Sequence, residues 1–142
     1  MDYDRPRLRA RIQHIETCLE RLETLRRLPL ADFLADFRNT ESAKHLLQTA
    51  IEAMMDIANH ILARRRLPTP DAGVETFRRL GEAGLLSPEH VETYVQMVKF
   101  RNLVVHLYQE VDAERVYGVM QDDLDDLRQF IAEVWEIVGR GA

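Results

Sequence analysis

The stretch Ala43-Lys44-His45-Leu46-Leu47-Gln48-Thr49-Ala50-Ile51-Glu52-Ala53-Met54-Met55-Asp56-Ile57-Ala58-Asn59-His60-Ile61 decides the fold class. Its apolar residues at 43, 46, 47, 50, 51, 54, 57, 58 and 61 recur at helical steps and line one broad stripe. The pattern predicts a helix from about Thr40 to Arg65, with Thr40 or Asn39 as its N-cap. Arg64-Arg65-Arg66 closes it, where the helix dipole favours cations. Glu52, Asp56 and His60 stand at i, i+4 and i+8 and so share a face. That face is either a solvated, charge-paired strip or an acid and an imidazole turned toward a cleft.

Towards the N-terminus, Leu8, Ile12, Ile15, Leu19 and Leu22 form a narrower seam on a helix predicted over residues 5 to 28. Pro6 suits its first turn, Arg26-Arg27 its last, and Pro29 breaks it. A short helix over 30 to 37 follows, with Phe33 and Phe37 expected to cover one end of the core. Towards the C-terminus, Leu67-Pro68-Thr69-Pro70-Asp71-Ala72-Gly73 reads as a loop. A shorter helix spans about Val74 to Ala83, and Gly84 ends it. Ser87 then serves as an N-cap with Pro88 at the first helical position, and His90 stands where a capping box carries Glu or Gln. Val91, Tyr94, Val95 and Val98 face inward on this helix.

The last helix runs from Asp112 to about Val138, with Trp135 partly buried. Its Asp122, Asp123, Asp125 and Asp126 form a solvated face or meet a basic partner. No strand alternation, repeat or low-complexity segment interrupts the pattern. The expectation is one all-α domain over residues 1–142, an antiparallel up-and-down bundle of four main helices with short accessory ones.

Composition narrows the function classes. A chain of 142 residues, 46% hydrophobic and 30% charged, suits one soluble core. No run reaches the roughly 18 apolar residues of a membrane span. The charged start Met1-Asp2-Tyr3-Asp4-Arg5-Pro6 has no apolar signal region, which points to a cytoplasmic protein. A single cysteine, Cys18, excludes an intrachain disulfide and a cysteine-based metal site, and its apolar neighbours predict burial. The net charge of −5 argues against a protein that coats nucleic acid, yet it leaves room for an enzyme with one local basic cleft.

The chemistry is concentrated in Lys99-Phe100-Arg101-Asn102-Leu103-Val104-Val105-His106-Leu107-Tyr108. On a continuous helix, Asn102 and His106 stand one above the other, and Arg101 and Tyr108 are nearly eclipsed on an adjacent face. Arginine can hold a phosphate with two N–H groups and stabilise developing charge. Histidine can move a proton near neutral pH. In RNA the 2′-hydroxyl supplies the nucleophile, so an acid and a base suffice without a metal. One chain offers one obvious histidine, and two chains about a two-fold axis would offer two. The competing account pairs His106 with Asn102 and Arg101 with an acid, as an interface lock.

Arg101-Asn102-Leu103-Val104-Val105-His106-Leu107-Tyr108 resembles the Arg-x4-His-x-Tyr motif of HEPN-domain proteins, specifically HepT-like toxins. Residues 51 to 61, Pro70 and Met97-Val98-Lys99-Phe100 resemble that family too, so the likeness runs from about residue 8 to 137. The resemblance implies a homodimeric helical bundle acting as a metal-independent endoribonuclease on RNA, with no DNA or membrane partner. It implies an MntA-like nucleotidyltransferase antitoxin that neutralises the toxin by binding and by adenylylating the motif tyrosine. Arg101 and His106 then match the catalytic pair, Asn102 the polar residue beside the arginine, Tyr108 the modified tyrosine, and Asp56 a supporting acid. A second class of function remains: a non-catalytic helical module that binds nucleotide or assists the nucleotidyltransferase.

Overall fold

The computed structural model describes residues 3–68, 70 and 73–139. Its helices are α1 (Arg5–Arg26), α2 (Leu30–Ala35), α3 (Phe37–Arg64), α4 (Gly73–Glu82), α5 (Pro88–His106), a 3-10 turn (Tyr108–Glu110), α6 (Ala113–Asp122) and α7 (Leu124–Val138). Among the described residues there is no strand. Thr69, Asp71 and Ala72 of the expected loop lie outside the described residues.

Side-chain pairs along the seams give the topology. Asp4 bonds His60, while Cys18 lies against Thr49, so α1 and α3 run antiparallel. Arg101 meets Glu52, and Lys44 meets Tyr108 beyond the end of α5, so α3 and α5 are antiparallel as well. Tyr94 reaches Glu133 from α5 to α7, and Ser87 reaches the same carboxylate. Arg5 bonds Val138 while Arg128 bonds Glu23, which closes the ring from α7 back to α1. Four limbs thus alternate up and down, as the sequence predicted, with α2 and α4 as accessories.

The stripes read from the sequence form the core. Leu8, Ile12, Ile15, Leu19 and Leu22 of α1 pack against Leu47, Ala50, Ile51, Met54, Ile57 and Ile61 of α3, all buried. Each such aliphatic side chain stabilises the bundle by about 1.5–3 kcal/mol when fully buried. Cys18 is buried as expected. Gly84 ends α4 at φ 75°, a left-handed turn that a residue without Cβ adopts freely.

Four expectations change. Helix α3 starts at Phe37, so its cap is Asp36, which accepts from the Arg38 N–H at 2.9 Å, rather than Asn39 or Thr40. Phe33 is fully buried, but Phe37 is 76% exposed, because that early start turns it away from the core. The expected final helix is two, broken at Asp123. Four carboxylates over residues 122 to 126 oppose a continuous helix there, since like charges a turn apart repel and aspartate favours helix ends. Lastly, the Ser87 side chain makes no capping bond. Glu133 of α7 takes that role from across the bundle, accepting from the Ser87 N–H at 2.9 Å and pairing with His90 Nδ1 at 2.8 Å.

Candidate active site

The site forms where the last turns of α5 lie along the first half of α3. Phe100 and Val104 are buried and fix the rotation of α5 about its axis. That rotation leaves Arg101 and Asn102 half-buried, with Val105 and His106 outside.

Arg101 is anchored from one side. Its Nε and Nη2 donate to Glu52 Oε2 at 3.1 and 2.7 Å, and its Nη1 donates to Asn102 Oδ1 at 3.0 Å. Gln48 Nε2 donates to the same Glu52 oxygen at 3.3 Å and steadies the carboxylate from a turn earlier on α3. A guanidinium has five N–H donors. Three are engaged here, so one on each terminal nitrogen remains for another ligand, a fork that suits two oxygens of a phosphate.

His106 is the last residue of α5 and is exposed. Among the described residues no hydrogen-bond partner holds its ring. Asn102, the partner expected from helical spacing, is occupied as acceptor by Arg101. The exposed apolar side chains Val105 and Leu107 flank the imidazole in sequence.

Tyr108 departs from its expected place. Helix α5 ends at His106, Leu107 leaves helical geometry at φ −132° and ψ 51°, and Tyr108 opens the 3-10 turn. The tyrosine therefore does not eclipse Arg101. Its hydroxyl donates to Glu41, and Lys44 Nζ donates to its carbonyl at 3.0 Å while standing 4.0 Å from the ring centroid. Burial, and then the Glu41 carboxylate, push the phenol up to about 12. From Lys44 to Glu52 is eight residues, about 12 Å along the axis of α3.

The shared face of Glu52, Asp56 and His60 divides among three partners. Glu52 takes Arg101. Asp56 lies 3.4 Å from Arg11 of α1, with both side chains about half exposed, so the acid beside Arg101 is Glu52 rather than Asp56. His60 is only 8% exposed and accepts the Asp4 N–H through Nε2 at 3.1 Å. Burial, followed by Arg64 and Arg7, holds its imidazole below the usual histidine range.

Sequence reasoning placed Arg101, Asn102 and His106 on one helix end, and missed Glu41, Lys44 and Gln48. These three, with Glu52, recur at steps of three and four along α3 and make a polar strip beside its apolar stripe. That periodicity was available. What it could not give is which face of α3 meets α5.

A model of the family described as ribonuclease HepT-like covers residues 15–134. The chain belongs to the ribonuclease HepT-like family. Over 121 residues it is 33% identical to the mRNA nuclease HepT of Shewanella oneidensis, spanning 85% of this chain and 90% of that one. Over 127 residues it is 25% identical to the tRNA nuclease HepT of Aphanizomenon flos-aquae, spanning 89% and 86% of the two chains. A solved structure of the tri-AMPylated Shewanella oneidensis HEPN toxin in complex with MNT antitoxin superposes with a TM-score of 0.85 at 31% identity. That superposition covers 96% of this chain and 99% of the other. Helix-only architecture and family agree with the reading from the sequence. No described helix is long and apolar enough to cross a membrane.

Proposed function

We propose that this chain is a metal-independent endoribonuclease toxin whose active site is shared between two copies. The observation that carries the reading is the contrast within one helix end: among the described residues, Arg101 is clamped by Glu52 and Asn102 with two N–H groups to spare, while the neighbouring His106 is exposed and has no hydrogen-bond partner.

In the proposed reaction, the spare Arg101 donors hold the non-bridging oxygens of the scissile phosphate and offset charge that grows as phosphorus gains a fifth oxygen. The 2′-oxygen attacks phosphorus, and the bond to the 5′-oxygen breaks. One imidazole takes the 2′-hydroxyl proton, and a second gives a proton to the departing 5′-oxygen. Each chain contributes one His106, so a two-fold dimer supplies both. Exposed Val105 and Leu107 are apolar surface that such a partner copy would cover. Asn102 holds Arg101 in register.

The related toxin seen with its MNT antitoxin supports the remaining part of the reading. A nucleotidyltransferase antitoxin binds this chain and neutralises it by transferring AMP to Tyr108. The experiment compares purified wild type with Arg101→Ala and His106→Ala on RNA, in EDTA. The expected result is cleavage by wild type and a loss of about 100-fold or more in each variant. Equal activity in all three, or activity abolished by EDTA, overturns the mechanism. An inert wild-type dimer would turn the reading towards a non-catalytic module that assists a nucleotidyltransferase.

A further inference from the structure

Tyr108 is gripped by two residues one turn apart on α3. Its hydroxyl donates to Glu41, and Lys44 lies against its ring and carbonyl. The two grips differ in exposure. Glu41 is exposed, so the hydroxyl it accepts from can be approached from solvent. Lys44 is only 5% exposed, and among the described residues no carboxylate lies within ion-pair distance of its ammonium. A buried cation is costly unless opposite charge or hydrogen bonds compensate it. Here a single carbonyl and the negative face of an aromatic ring do so. Lys44 is therefore held against Tyr108 by one hydrogen bond and a cation–π contact, with no direct ion pair among the described residues.

We propose that Glu41 is the general base, and Lys44 the positioning cation, for adenylyl transfer to Tyr108. The proposal rests on the reading above that Tyr108 accepts AMP. In the step, the phenolic oxygen attacks the α-phosphorus of a nucleoside triphosphate held by the nucleotidyltransferase. The new O–P bond forms as the bond from the α-phosphorus to pyrophosphate breaks. The phenolic proton passes to the Glu41 carboxylate, and pyrophosphate departs with the electron pair of the broken bond. A phenol that ionises only near 12 is a poor nucleophile at neutral pH, which is the reason a base is needed. Lys44 fixes the ring before reaction, and its ammonium on the ring face offsets part of the negative charge that the phosphodiester adds to Tyr108.

The test incubates the full chain with ATP and the MNT antitoxin of the Shewanella pair, following AMP on the chain by intact mass and peptide mapping. Wild type gains AMP on Tyr108, and Tyr108→Phe gains none. Glu41→Gln lowers kcat for transfer by about 100-fold with KM for ATP unchanged, and Glu41→Asp recovers part of the rate. Lys44→Met lowers the rate as well, and Lys44→Arg restores more of it than Met allows. Circular dichroism confirms that each variant is folded, and Glu41 is a surface position. Transfer to Glu41→Gln at the wild-type rate, or a raised KM with kcat intact, overturns the base role and leaves Tyr108 as acceptor. No AMP on wild type, or AMP retained by Tyr108→Phe, overturns the acceptor reading and this proposal together.

Discussion

The two ends of α5 carry almost the same residue types and use them in opposite ways. Near its N-terminus, His90 and Tyr94 converge on Glu133, which also accepts the Ser87 N–H, and Gln129 donates to the Tyr94 hydroxyl at 3.4 Å. Burial and Glu133 drive the Tyr94 phenol far above its usual value. Every group there has its partner, and the cluster locks α5 to α7. At the C-terminus, His106 and Tyr108 follow Arg101, but among the described residues the histidine ring has no hydrogen-bond partner and the arginine keeps two donors unspent. A histidine, a tyrosine and an acid do not make a site by being near one another. Chemistry belongs where hydrogen-bonding capacity is left unfilled and open to solvent.

That contrast can be broken at several points. The largest effect is expected from exchanging the histidines one at a time. His106→Gln lowers RNA cleavage by about 100-fold or more while its melting temperature stays within a degree or two of wild type, because an exposed side chain without partners contributes little to stability. His90→Gln does the reverse, lowering the melting temperature and preserving cleavage. Cleavage assays and thermal unfolding on the same preparations check both, and a cleavage loss in His90→Gln would erase the distinction between the two ends.

Glu52→Gln comes next. Removing the charge that clamps Arg101 leaves the guanidinium present but loosely placed, and cleavage falls roughly tenfold to 100-fold. Asp56→Asn, beside Arg11, changes cleavage less than twofold. Steady-state rates of the two variants side by side decide whether the supporting acid is the one the structure brings to Arg101.

Glu133→Ala probes the structural end by itself. The Tyr94 hydroxyl and the Ser87 N–H lose their acceptor, at a cost of about 3 kcal/mol and a melting temperature lower by roughly 10 °C. Cleavage persists below that temperature. Denaturant unfolding measures the first, and an assay at low temperature the second.

The smallest effect concerns pH. His60 is buried with its imidazole held below the usual range, so the unfolded chain binds a proton more readily than the folded one. The stability that a neutral His60 contributes is complete above about pH 6.5 and declines as pH falls from there towards the folded value. Melting temperatures of His60→Gln should therefore fall less between pH 7 and 5 than those of wild type. Identical slopes would show that His60 is not the group responsible.

Much of this was legible in the chain. Helical spacing alone identified the core stripes of α1 and α3, because burial on one side of a helix has a period that no other element shares. It also put Arg101, Asn102 and His106 at one helix end. Tyr108 was misplaced because nothing local announces that α5 stops at His106. Leu107 and Tyr108 carry no proline or glycine, and the stop is made by Val111 burying beyond the turn and by Lys44 and Glu41 catching the tyrosine. The break at Asp123 had a local signal in its four carboxylates, but apolar residues at helical steps from Val116 through Met120, Leu124 and Leu127 to Val134 run across it and predict one helix.

By itself the sequence determined that the chain is a helical bundle, and that Arg101, Asn102 and His106 stand together at one helix end, since both follow from periodicity. Only the tertiary structure decided that Glu52 rather than Asp56 takes Arg101, that His60 is a buried support, and that Tyr108 belongs to Glu41 and Lys44. Those are questions of which faces meet. Residues one turn apart on α3 are chemically interchangeable in sequence, and only the register of α5 and α1 against it tells them apart.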